Sequence, residues 1–150
     1  PHGRLPNAIE RANLSDPRDR VRLIERPGRI IYDIEADLTN GKLYWSEGAE
    51  ANGQPFAGEI WRANLDGSNP QLLHSGLASA MPEMLQIAID PPGNKLYWTA
   101  GYQLYWSNLD GSQTAVVYQV PPDPRIVGGN QEYQAIGDVV VDAENRKLYV

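Results

Sequence analysis

Short apolar runs, broken by Gly, Pro, Asn and Asp, recur along the whole 150-residue chain. Ile87-Ala88-Ile89 and Val139-Val140-Val141 are apolar, largely β-branched and flanked by turn residues, which is the pattern of buried strands. Lys42-Leu43-Tyr44-Trp45 is also rich in strand formers. Asp90-Pro91-Pro92-Gly93-Asn94 and Asp142-Ala143-Glu144-Asn145-Arg146 read as turns between such strands. Asp66-Gly67 and Asp110-Gly111 suit the positive φ of a tight hairpin. No segment keeps a helical period with caps, so the pattern predicts an all-β chain.

The strands repeat as a set. Lys42-Leu43-Tyr44-Trp45-Ser46 returns as Lys95-Leu96-Tyr97-Trp98-Thr99 and again as Lys147-Leu148-Tyr149-Val150. An aspartate stands five residues before each lysine, at Asp37, Asp90 and Asp142. A second motif follows the first: Ile60-Trp61-Arg62-Ala63-Asn64-Leu65-Asp66-Gly67-Ser68 matches Leu104-Tyr105-Trp106-Ser107-Asn108-Leu109-Asp110-Gly111-Ser112. A weaker copy, Ile9-Glu10-Arg11-Ala12-Asn13-Leu14-Ser15-Asp16, stands near the N-terminus. Two motifs kept in step at this spacing mark a repeat architecture whose unit is a four-stranded antiparallel meander, A to D. Tyr44 and Trp45 are adjacent, so they face opposite sides of one sheet. Aromatics on both sides mean that both sides are buried, as when sheets stack radially.

These motifs resemble the YWTD repeats of the low-density-lipoprotein-receptor class B, whose blades carry Lys-Leu-Tyr-Trp-Thr-Asp and then Ile-x-Arg-Ala-Asn-Leu-Asp-Gly-Ser. The resemblance covers nearly the whole chain. It implies a six-bladed β-propeller in which Tyr44, Trp45, Tyr97, Trp98 and Tyr149 pack between blades. It also implies C–D turns built on Asn13, Asn64, Asp66, Gly67, Asn108, Asp110 and Gly111. The chain departs from the pattern at Glu47 and Ala100, which replace the last Asp, at Val150 for Trp, at Trp106 for Arg, and at Ser15 for the turn Asp. The blade core is kept, and the polar contacts between blades are where differences are expected.

The strand order reads C–D at 8–27, a full blade at 30–76, a full blade at 84–120, and A–B at 135–150. That is three blades' worth per chain, with one blade split between the ends. Propellers need roughly four to eight blades, so a homodimer is expected, the A–B strands of each copy pairing with the C–D strands of the other into a six-bladed ring. An engineered or trimmed half-propeller that assembles in this way fits the same inventory, and a fragment or a piece of a longer chain is the alternative account.

The charge is −6 and the chain has no Cys, so neither a basic nucleic-acid face, nor a disulfide, nor a thiolate metal site is expected. No apolar run is long enough for a membrane span, and the compartment is not fixed. Gly-x-Ser-x-Gly, His-Glu-x-x-His and Walker patterns are absent. His2 and His74 lie in different parts of the repeat, with His74 at the end of a predicted strand D. Asn13-Leu14-Ser15 matches a glycosylation sequon, but the same Asn is a turn residue in the other copies.

Aligned on the lysine, Asp33, Gln86 and Asp138 fall at one position at the start of the three A strands. In a propeller these strands line the central channel. The three residues predict a polar ring at its mouth, either solvating a water-filled channel or holding a calcium ion on hard oxygens. Loops leading to this mouth carry Met81, Met84 and Tyr133, and loops on rigid scaffolds often carry function. Glu47 to Phe56 is predicted as a further excursion between B and C. The expectation is a non-enzymatic scaffold without a cofactor that binds protein or peptide on the channel face. A calcium-dependent lactonase-like hydrolase is the competing reading.

Overall fold

The computed structural model describes residues 7–49, 57–78, 85–121 and 136–150. Their strands form four antiparallel sheets in chain order. β1 (Ala8–Ala12) pairs with β2 (Arg20–Glu25). β3 (Arg29–Asp37), β4 (Lys42–Ala49), β5 (Ala57–Asn64) and β6 (Gln71–Ala78) form a four-stranded meander. β7 (Ile87–Asp90), β8 (Lys95–Ala100), β9 (Gln103–Asn108) and β10 (Ala115–Gln119) form a second. β11 (Val140–Asp142) pairs with β12 (Lys147–Tyr149). β3 contacts β7, and β7 contacts β11, so the sheets meet along their first strands.

The core is built from the alternation within each Lys-Leu-Tyr-Trp. Trp45 packs back on Ile9, Ile24 and Ile31, whereas Tyr44 packs forward on Leu85, Ile87, Leu96 and Trp98. One blade on, Trp98 shares the cluster of Tyr44, and Tyr97 turns forward onto Ile136, Val139 and Leu148. Adjacent residues thus cement opposite faces, each buried aromatic contributing a few kcal/mol, about 2–3, through area removed from water. Tyr149, the third copy of the forward tyrosine, is 57% exposed.

The turns repeat one backbone bond in all three copies. Asp37 accepts from the backbone and side-chain amides of Asn40, Asp142 does the same for Asn145, and Asp90 accepts from Gly93 N. The residue before each lysine, Gly41, Asn94 or Arg146, has φ of 66°, 53° or 54°. In the C–D turns, Asp66 and Asp110 accept from the backbone N–H of Ser68 and Ser112 at 2.9 Å. Gly67 is indispensable there on two counts, a φ of +83° and a position where an added Cβ would lie 2.2 Å from Leu23 O.

Three expectations are corrected. Glu47 does not open a loop: Glu47–Ala49 continue β4, paired with β3 on one side and through Gly48 with β5 on the other, and Glu47 is fully buried. Asp33 lies in the middle of β3 beyond a bulge, because β3 begins earlier, at Arg29, than its counterparts. His74 lies inside β6, which runs on to Ala78.

Candidate recognition site

The inner strands bring the aligned polar residues together only in part. Asp33 on β3 reaches the next blade, its Oδ2 accepting from Ile87 N at 2.9 Å, while Oδ1 accepts from Ile34 N. Asp33 is thereby a tie between blades. Gln86 immediately precedes β7, and its backbone N–H donates to Thr99 Oγ1 at 3.1 Å. Asp138 precedes β11 and accepts from Val139 N at 2.7 Å.

Glu35, two residues along β3 from Asp33, is a member of this group that sequence alignment did not single out. Burial, and then the negative charges of Asp33 and Asp138, raise its carboxyl above the usual glutamate value. Asp33, Glu35 and Asp138 therefore form an acidic group drawn from β3 and from the segment just before β11. Among the described residues no three His, Asp or Glu side chains gather as a metal-holding cluster. Met81, Met84 and Tyr133 lie outside the described residues.

The B–C contact carries the same pair in each full blade. Lys42 Nζ donates to Asn64 Oδ1 at 2.7 Å, and Lys95 Nζ to Asn108 Oδ1 at 2.8 Å. The partner positions agree as well: Tyr44 opposes Arg62 and Tyr97 opposes Trp106. Arg62 bridges to the next blade through Leu109 O at 2.9 Å. Where Trp106 replaces that arginine, the Lys95 ammonium sits 3.4 Å from the indole centroid, a cation–π contact. Asn13, the first copy, uses its Oδ1 locally, on Ser15 N and Oγ.

A buried ionic cluster joins β1–β2 to the first full blade. Glu47 accepts from Arg26 Nε at 2.8 Å, Arg29 Nε at 3.0 Å and the Trp45 indole N–H at 2.8 Å. Arg29 also pairs with Glu59 at 2.5 Å, and Arg26 lies 4.2 Å from the Trp61 ring centroid. Burial pushes the Glu47 carboxyl up, but the hydrogen bonds from Arg26, Trp45 and Arg29 outweigh it and leave the carboxyl below its ordinary value.

His74 packs between the blades. Its ring stacks on Trp98 at 4.5 Å, and its Nε2 lies 3.0 Å from Ser107 Oγ. Ser107 Oγ also lies 2.9 Å from Asn108 O. Burial lowers the His74 pKa and favours its neutral form.

No family model matches the sequence. The fold is similar to that in the crystal structure of a nidogen/laminin complex, with a TM-score of 0.65 at 21% identity, over 95% of this chain and 49% of that one. The chain thus spans about half the length of its structural neighbour. No helix among the described residues is long and apolar enough to cross a membrane. An all-β chain of antiparallel four-stranded sheets with this neighbour has the β-propeller fold.

Proposed function

We propose that this chain is a non-enzymatic recognition scaffold of the YWTD-propeller type, half of a six-bladed ring that a second copy completes. The observation that carries the ring is the complementarity of the two outer sheets. Among the described residues, β12 begins at Lys147 and has no C strand beside it, and β1, which Asn13 follows, has no B strand beside it. The register of both full blades, continued, pairs Lys147 with the partner's Asn13 and Tyr149 with the partner's Arg11. It also brings the partner's Leu14 turn against Val117. The corresponding Gly111 turn packs on Leu73 in this way, with an added Cβ 3.3 Å from the leucine. Leu14 is fully exposed and Val117 is 46% exposed in the single chain. Unpaired edges and apolar residues of this kind favour association.

Recognition is supported by the acidic inner surface and by the neighbour, a propeller in a complex of nidogen with laminin. A peptide or protein segment bearing basic groups matches that charge.

A double variant, Asn13→Cys with Lys147→Cys, tests the ring in a chain with no cysteine of its own. Leu65 N donates to Gly41 O, so Lys42–Asn64 is a non-hydrogen-bonded pair, the closer kind, and its counterpart between copies suits a disulfide. Oxidation should give a covalent dimer from the double variant alone. Monomer under all oxidising conditions contradicts closure by a second copy. Panning a peptide library, with Asp33→Lys and Asp138→Lys as counter-screens, tests recognition: binders should be basic and should lose affinity to both variants. Binders indifferent to both would move the site off the channel.

A further inference from the structure

The two junctions between successive sheets are built on the same plan but filled differently. At the first, the Trp45 indole N–H is satisfied by Glu47, Arg26 covers Trp61, and Trp45 stacks on Trp61 at 6.1 Å. At the second, Trp98 takes the place of Trp45 and Tyr105 that of Trp61, stacked at 5.4 Å. The two residues that fill the first junction are truncated. Ala100 stands two residues after Trp98, where Glu47 follows Trp45. Gly76 stands three residues after Leu73, where Arg26 follows Leu23, the two leucines matched by their contacts with Gly111 and Gly67. Nothing lies within 4 Å of a Cβ added at Gly76.

The consequence is a cleft of about 370 Å³ lined by His74, Gly76, Leu77, Trp98, Gln103 and Tyr105, with Ala100 on its wall. Trp98 is 1% exposed, and among the described residues its Nε1 has no hydrogen-bond partner. A buried donor without an acceptor is an unfavourable arrangement that a ligand can relieve. The volume lies in the range of small-ligand pockets, and both walls come from this chain.

We propose that this cleft binds a peptide partner through a paired glutamate and arginine, the carboxylate accepting from Trp98 Nε1–H and the guanidinium covering Tyr105. The first junction shows both roles filled from within the chain, by Glu47 and Arg26. The ligand must carry both charges, because none of the cleft residues named above is a lysine or arginine, and a carboxylate buried alone would lack compensation. Gln103 marks the position of Glu59; its Oε1 accepts from the Tyr105 hydroxyl, and the second lone pair of that carbonyl is a neutral acceptor for the same guanidinium. The inference deepens the recognition reading and rests on it, but it names a cleft between blades rather than the channel.

The test is a titration of the whole protein, with ¹⁵N-labelled tryptophan and backbone, by acetyl-Arg-Gly-Glu-amide, against acetyl-Ala-Gly-Ala-amide. The expected result is a saturable shift of the Trp98 indole N–H with the first peptide only. Ala100→Glu, which restores an internal acceptor, should weaken binding at least tenfold. Trp98→Phe, which keeps the ring stack and removes the donor, should do so if Ala100→Glu does not fold. Shifts confined to the amides of Ile87 and Val139 would overturn the cleft while leaving channel recognition standing. No shift at millimolar peptide would also overturn the cleft, and the library experiment would then decide recognition separately.

Discussion

Lys42 reaches across from strand β4 to Asn64 on β5, Nζ to Oδ1 at 2.7 Å, and Lys95 repeats the contact with Asn108 at 2.8 Å. Each asparagine also closes its own turn, its Nδ2 donating to Ser68 Oγ or Ser112 Oγ. One side chain thus fixes both the B–C register and the C–D turn. Asn64→Ala and Asn108→Ala should each cost about 1–2 kcal/mol, from two modest hydrogen bonds. Chemical denaturation checks this, and near-equal costs at the two sites are expected.

Asn13→Ala should behave differently. Its Oδ1 bonds lie within one exposed turn, so the fold of a single chain should lose only a few tenths of a kcal/mol. The partner's Lys147 would lose its acceptor, so association should weaken. Leu14→Asp should weaken association further, with little change in the circular dichroism of the chain. Sedimentation equilibrium on both variants measures the effect.

The Glu47 cluster should make the first junction acid-sensitive. Its folded pKa lies below the unfolded value, so its stabilisation is fully present above the ordinary glutamate range and is lost as pH falls through the folded value. Glu47→Gln removes the charge that two arginines face and should cost about 3 kcal/mol. The variant should also flatten the acid limb of a stability–pH curve, and thermal melts from pH 7 to pH 3 would show whether it does.

Glu35 has the opposite sign. Its folded value is raised, so stability falls as pH rises from the unfolded value to the folded one. Glu35→Gln should stabilise by a few tenths of a kcal/mol at pH 7 and low salt, and the gain should shrink as salt screens Asp33 and Asp138. Melting temperatures at two ionic strengths test this.

Two glycines in turns separate strain from crowding. Gly41 and Gly67 both have positive φ, but only Gly67 faces backbone, with Leu23 O 2.2 Å from an added Cβ. Gly41→Ala should cost about 1 kcal/mol, and Gly67→Ala clearly more, as read from denaturation midpoints.

The aromatic alternation was legible because it is local: Tyr44 and Trp45 are neighbours, and a strand sends neighbours to opposite faces. The lysine–asparagine pair was visible as two motifs in step, without the bond itself. Glu47 was misread as a loop residue because its partners Arg26 and Arg29 lie 21 and 18 residues away and belong to no motif. Glu35 escaped because its counterparts in the other inner strands, Ala88 and Val140, are apolar. Ala100 was visible as a departure from the repeat, but the unpaired indole of Trp98 appears only when the two junctions are compared in space, since Gly76 belongs to no motif.

The most direct measurement is the solution mass by light scattering over a hundredfold range of concentration. A closed ring predicts a single species of about twice 16.7 kDa. A stable species at the single-chain mass throughout would contradict it and assign the missing blades to something other than a second copy.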